Sequence, residues 1–294
     1  MSYHSANEAK ATFDSIYTAP TPNLYLEQMG QLDYQIGQQA RPYFEAAASL
    51  LDERLGPAQP VRVLDLGCSY GVGAALLNHK LSFDELISFF AEQAPASYLE
   101  CVAQARAFLE ERRVDAPVEV VGADCSAPAI RFALDAGLLQ GGIARDMEAT
   151  PQLPAGEAAL VSRCNLMTST GAIGYVGKST ISTLLEHLGG ATETADGPYA
   201  VMTILRMFDP DPVAQAFSEF GYEFAPVPGV HLLQRRFESD EEQCRTVELL
   251  RERGLDSCGL ESEGLLYADL FAAAPKAGFG GLIECLSGTA AKAA

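Results

Sequence analysis

One phrase constrains this chain more than any other: Val61-Arg-Val-Leu-Asp-Leu-Gly-Cys-Ser-Tyr-Gly-Val-Gly73. A β-rich run that ends at Gly67 and passes through Gly71 and Gly73 into a helical pattern describes a buried parallel strand, a tight turn and a helix. Glycines at such a turn let the backbone approach a ligand, and the start of the helix turns N–H groups toward an anion. Dinucleotide-binding turns carry G-x-G-x-x-G. Here the glycines fall as G-x-x-x-G-x-G, with Asp65 two residues ahead of the first.

The rest of the chain repeats the rhythm that this phrase begins. Tyr17-Thr-Ala-Pro-Thr-Pro-Asn23 interrupts any helix, Leu24 to Leu55 reads as helical, and the prolines at 57 and 60 stop it. Val118 to Gly122 is the next strand, and further strand-like runs begin near Ile143, Asn165, Tyr199, Val230 and Leu265. Between them lie helical patterns at 126–137, 179–188, 211–220 and 239–253, with capping-box signatures at Ser82/Glu85 and Ser239/Glu242. The alternation predicts an α/β fold, a Rossmann-like doubly wound, mostly parallel sheet of seven strands with a helical N-terminal extension. The expected organisation is a helical cap or lid over 1–60, the α/β domain over 61–275 and a weakly anchored tail over 276–294. Between Gly73 and Asp124 the separation is about twice the roughly 20 residues of a simple βαβ unit. An inserted helical stretch, about 83–113, fills it, and we expect decoration or a homo-oligomer surface there rather than a lid.

The phrase around Asp65 resembles the first motif of class I S-adenosylmethionine-dependent methyltransferases, D-x-G-C-x-x-G-x-G. The resemblance extends over roughly 61–275 and includes a closing strand pair, 230–237 and 265–274. The phrases Ile16-Tyr-Thr-Ala-Pro and Leu32-Asp-Tyr-Gln-Ile look similar to bacterial small-molecule members. What the resemblance implies is methyl transfer from S-adenosyl-L-methionine to a small organic molecule. It also implies a cofactor site made of Asp65, Gly67, Cys68, Ser69, Tyr70, Gly71 and Gly73. Asp124 at the end of the second strand suits the ribose hydroxyls. Asp146 and Met147 after the third strand suit adenine, and Cys125 and Thr170 are their neighbours at the carboxyl ends. The sequence departs from the family in the long gap before Asp124 and in the helix at 239–253, which the minimal fold lacks.

Methyl transfer needs orientation in a dry site more than a dedicated acid or base. His4, His79, His187 and His231 are not placed by any motif at a reaction centre, so no catalytic residue is assigned. A carboxylate or amine acceptor, which needs little help from a base, is slightly favoured over an aliphatic alcohol. Arg206 either clamps an anionic substrate or neutralises nearby acids. Tyr17, Tyr25, Tyr34, Tyr175 and Phe208 are candidate pocket walls. Arg235, Arg236, Arg251 and Arg253 are mixed with acids, as on a solvated face. A nicotinamide-dependent oxidoreductase and a non-catalytic S-adenosylmethionine-binding protein remain the alternative readings.

Composition limits the partners. With 39 Asp and Glu against 20 Lys and Arg, a formal charge of −19 disfavours nucleic acid and anionic membrane surfaces. No apolar run approaches the roughly 20 residues of a bilayer span. Nothing at the start reads as a secretory signal, so a cytoplasmic location is expected. The seven scattered cysteines lack paired spacing, which indicates reduced thiols and no metal.

Overall fold

A computed structural model of the chain describes residues 16, 18–57, 59–93, 97–189 and 197–293. Two helices, α1 (Asn23–Gln31) and α2 (Ile36–Leu55), precede the sheet. There follow β1 (Arg62–Leu66), α3 (Val72–Asn78), α4 (Phe83–Glu92), α5 (Tyr98–Glu110), β2 (Glu119–Asp124), α6 (Ala127–Asp135) and β3 (Gly141–Ala144). The chain continues through α7 (Ala155–Val161), β4 (Leu166–Ser169), α8 (Lys178–Leu185), β5 (Tyr199–Leu205) and α9 (Asp211–Glu219). It closes with β6 (Tyr222–Arg236), α10 (Asp240–Glu252), a short 3-10 turn (Glu261–Glu263), β7 (Leu265–Pro275) and α11 (Lys276–Ala293). The seven strands lie in the order β3-β2-β1-β4-β5-β7-β6. Strands β1 to β5 are parallel, and β7 runs antiparallel to both β5 and β6.

Burial explains which strand goes where. Every residue of β4 and of β5 is buried, as a strand covered by helices on both faces requires. The edge strand β6 alternates buried and exposed positions along its second half. It starts at Tyr222, well before the expected Val230, and its register breaks between Pro226 and His231. Two prolines, Pro226 and Pro228, obscure the strand in the sequence, and an edge is where a sheet tolerates them.

Serine caps set the helix starts. Ser82 accepts from the Glu85 N–H while the Glu85 carboxylate accepts from the Ser82 N–H, a complete capping box. At α10 only half of the expected box forms. Ser239 accepts from the Glu242 N–H, but the Glu242 carboxylate turns to Arg235, accepting from Nη1 at 2.9 Å and Nη2 at 2.6 Å. Arg235 is 1% exposed, so the solvated face expected for it is wrong. A buried charge needs a partner, and its partner sits seven residues away in the next helix.

The stretch expected to be a loose tail, 276–294, is also corrected: 276–293 is α11. Phe279, Leu282, Ile283 and Leu286 form an i, i+3, i+4, i+7 stripe, and Leu282 and Leu286 are fully buried. Small residues on the other face had masked that stripe. The helix lies on α2 and β7, with Cys285 Sγ 3.7 Å from the Ala46 carbonyl.

The inserted helices are structural neighbours of the N-terminal extension. Asn23 donates to the Phe90 carbonyl, the Phe83 N–H donates to Gln38, and the Tyr34 and Phe83 rings lie 5.6 Å apart. The 32–39 segment is in turn hydrogen-bonded to the outer edge of β6. The Gln35 N–H donates to the Gln234 carbonyl, and the Arg236 N–H to the Leu32 carbonyl, both at 2.8 Å. No helix among the described residues is long and apolar enough to cross a membrane.

If α11 is part of the core, Leu286→Ala costs about 2 to 5 kcal/mol of stability in urea denaturation. An unchanged midpoint and slope would return the segment to the status of a tail.

Candidate functional site

The carboxyl ends of β1, β2 and β4 surround a cavity of about 560 Å³, at the place where the strand order reverses. This is where ligands of open α/β sheets bind, and the volume falls within the roughly 300 to 1,000 Å³ of small-molecule sites.

The loop after β1 is shaped by what lies beside it. Gly67 has φ +74°, and a Cβ there would lie 2.3 Å from the Cβ of Ala172, so both conformation and space demand glycine. Gly73 has an ordinary φ and a different reason. A Cβ at that position would sit 2.6 Å from Asp65 Oδ2, because the carboxylate at the end of β1 folds over the first turn of α3. The spacing of Asp65 and Gly73 therefore records one contact. Ser69, between the glycines, takes φ +48° and leaves its Oγ buried without a hydrogen-bond partner.

Three acids reach the cavity from three successive strand ends. Asp65 is 6% exposed and accepts one hydrogen bond, from Thr168 Oγ1 at 3.2 Å. Burial, with the charge of Asp124 adding to it, pushes its carboxyl up to about 7. Asp124 accepts from the Ser69 N–H at 2.9 Å and from the Ser126 N–H at 2.8 Å, tying two loops together. Burial raises its carboxyl too, against the pull of those N–H groups. Asp146 accepts from the N–H groups of Glu148 and Ala149, holding the turn after β3. Glu148 accepts from the N–H groups of Gly177 and Thr180, at the start of α8.

Asp65, Gly67, Cys68, Ser69, Gly73, Asp124, Cys125, Asp146, Met147 and Thr170 all line the cavity. So do Tyr25, Tyr34 and Tyr175, the first two from the N-terminal extension. Burial drives the Cys68 thiol well above its ordinary range, which makes it a packing group.

Four expected site residues point elsewhere. Tyr70 is 2% exposed, packs between Tyr25 and Phe132, and sets its hydroxyl near the carbonyls of Ile16 and Ala19. Gly71 turns against Ala133 and Leu138 rather than the cavity. Arg206 is buried, paired with Glu261 at 2.6 Å and bonded to the Asp256 carbonyl, so it is no substrate clamp. Phe208 is buried against Gly174. Tyr17 lies outside the described residues.

The sequence reading missed Gln234 and Arg235, which line the cavity from β6. Adjacent residues of a regular strand point to opposite faces, but the register of β6 shifts between Leu233 and Arg235, and this bulge turns both Gln234 and Arg235 to the cavity. No motif marks them.

No protein-family model matches the sequence, and no curated protein matches it. Among solved structures, the chain is similar to a TehB-like SAM-dependent methyltransferase from Corynebacterium glutamicum, at 14% identity over 76% of this chain and 86% of that one, with a TM-score of 0.34. It is similar to a SAM-dependent methyltransferase from Geobacter sulfurreducens in complex with S-adenosyl-L-homocysteine, at 16% identity over 79% and 91%, TM-score 0.34. A third is CalS10, an amino pentose methyltransferase from Micromonospora echinaspora, at 15% identity over 80% and 92%, TM-score 0.38.

Asp65 gives the site a measurable pH signature. In the folded, ligand-free chain its carboxyl stays protonated up to about 7, whereas the unfolded chain ionises near 4, so folding takes up a proton between those values. Its contribution is complete below the lower value and is lost as pH rises through the upper one. Asp65→Asn removes the loss, stabilising the ligand-free protein by as much as about 4 kcal/mol near pH 8.5 and by little near pH 4. Equal stabilisation at both pH values would show that Asp65 does not titrate in this way.

Proposed function

We propose that this chain is a class I methyltransferase that uses S-adenosyl-L-methionine to methylate a small organic molecule at oxygen or nitrogen, with a carboxylate or amine acceptor. The observation that carries the reading is Asp65, a buried carboxylate at a cavity wall whose one hydrogen bond leaves its ionised form poorly compensated. Such a group favours a cationic ligand, which restores the missing stabilisation. S-adenosylmethionine, when bound, supplies an activated methyl group on a sulfonium and also carries an ammonium.

The residues present fit that ligand. Asp65 would face the ammonium, and the orphaned Ser69 Oγ would gain a polar partner. Asp124 would accept from the ribose hydroxyls, and Asp146 with Met147 and Cys125 would border the adenine. Thr170 and the aromatic walls Tyr25, Tyr34 and Tyr175 would hold the acceptor and exclude water. No histidine is among the described residues that line the cavity, which suits an acceptor that loses its proton without a strong base.

A nicotinamide dinucleotide fits less well. Its pyrophosphate would bring negative charge over a loop that already faces Asp65 and Asp124, and like charges at short range disfavour each other.

Calorimetric titration tests the reading. S-adenosylhomocysteine should bind, and Asp124→Ala should weaken it by about 1.5 to 3 kcal/mol, the cost of unpaired hydroxyls. Tight binding of NAD with no heat from S-adenosylhomocysteine would replace this function with the oxidoreductase reading. Binding without methylated product across acids, amines and phenols would favour a non-catalytic role.

A further inference from the structure

The cavity has two chemically different walls. Asp124, Asp146 and Glu148 stand at or just after the ends of β2 and β3, whereas Tyr34 and Gln234 flank Gly171 after β4, where the charge of Asp65 is also felt by Tyr34. A Cβ on Gly171 would lie 3.4 Å from Gln234 Nε2 and 3.5 Å from Tyr34 Oη, so the two polar groups flank the same strip of backbone. Gly171 follows Thr170 in the loop after β4, beside the reversal of strand order.

Gln234 is an unusual residue to find there. It is 2% exposed, and its Oε1 is enclosed without any hydrogen-bond partner. Because Oε1 is enclosed, the edge of the amide left to face a ligand is Nε2, a donor. Its position is fixed from both sides. The Gln234 carbonyl accepts from the Gln35 N–H, and the next residue, Arg235, is locked to Glu242 by two hydrogen bonds. That pairing compensates Arg235, whose charge is still felt at Tyr34, so the wall offers two neutral donors beside a paired cation.

Tyr34 is held just as firmly. Tyr25 and Thr170 are within hydrogen-bonding reach of its hydroxyl, and burial pushes the phenol up to about 12, so it keeps its proton and can donate it.

Resting on the proposed methyltransferase reading, we propose that Tyr34 and Gln234 form an acceptor subsite that takes a carboxylate, and that the substrate class is a small aromatic or aliphatic carboxylic acid. Two converging donors satisfy the lone pairs of one carboxylate, while an ammonium would present N–H groups to N–H and O–H groups. A carboxylate also carries no proton that a base must remove. Gln234 acts here as a specificity-determining residue and Tyr34 as its partner.

The test is calorimetry on the full chain loaded with S-adenosylhomocysteine, using phenylacetate and phenethylamine as a matched pair of probes. Phenylacetate should bind at least about tenfold more tightly than the amine. Tyr34→Phe and Gln234→Leu should each weaken phenylacetate about five- to tenfold while S-adenosylhomocysteine affinity holds. Gln234→Leu removes an unpaired buried amide, so it should melt at or above the wild-type temperature, which separates lost recognition from lost folding. Preference for the amine, binding of neither probe, or unchanged phenylacetate affinity in both variants overturns the subsite and leaves the cofactor reading standing. Failure of S-adenosylhomocysteine to bind overturns the proposed function, and the subsite falls with it.

Discussion

The structure around the cavity depends on one crowded contact, the Asp65 carboxylate lying across the start of α3. It leaves a side chain at position 73 no room unless the carboxylate shifts, and it bonds the end of β1 to β4 through Thr168. It also places a charge where water cannot solvate it well, which raises the carboxyl to about 7. Asp124 adds a second charge nearby and spends its own oxygens on the N–H groups of Ser69 and Ser126. The loop is thus built to a fixed shape before any ligand arrives. What it lacks is positive charge, and that deficit determines the kind of ligand it can hold.

Much of this was legible in the sequence, because strand ends and glycine turns are local. The run from Val61 to Gly73, the second strand with Asp124 and the serine caps at 82 and 126 are written in neighbouring residues. Residues whose roles are set by distant partners were misread. Tyr70 belongs to the glycine phrase, yet Phe132 and the chain near Ile16 determine where it points. Arg235 looked like a surface cation but is committed to a buried glutamate in the next helix, and of the two roles open to Arg206 its pair with Glu261, 55 residues on, leaves the neutralising one. Small residues obscured α11 and prolines obscured the first half of β6, since both weaken the periodic signal without removing the tertiary packing that favours the element.

The two buried Arg–Glu pairs also differ in what they secure. Arg206–Glu261 holds the end of β5 to the turn before β7, outside the cavity. Arg235–Glu242 holds the end of β6 to α10 and so stiffens the wall that carries Gln234. Losing either glutamate would strand an arginine in the interior, a more severe change than losing a surface pair.

The order of strands carries a consequence for how the protein is made. Strand β7 lies between β5 and β6, so β6 has no place in the sheet until residues 265–275 have been synthesised. The 32–39 segment, which brings Tyr34 to the cavity, is hydrogen-bonded to β6. A segment made more than 200 residues before β7 therefore waits for β7 before it can settle. The Asp65 half of the cavity can assemble before β7 is made, whereas the Tyr34 half forms only after it.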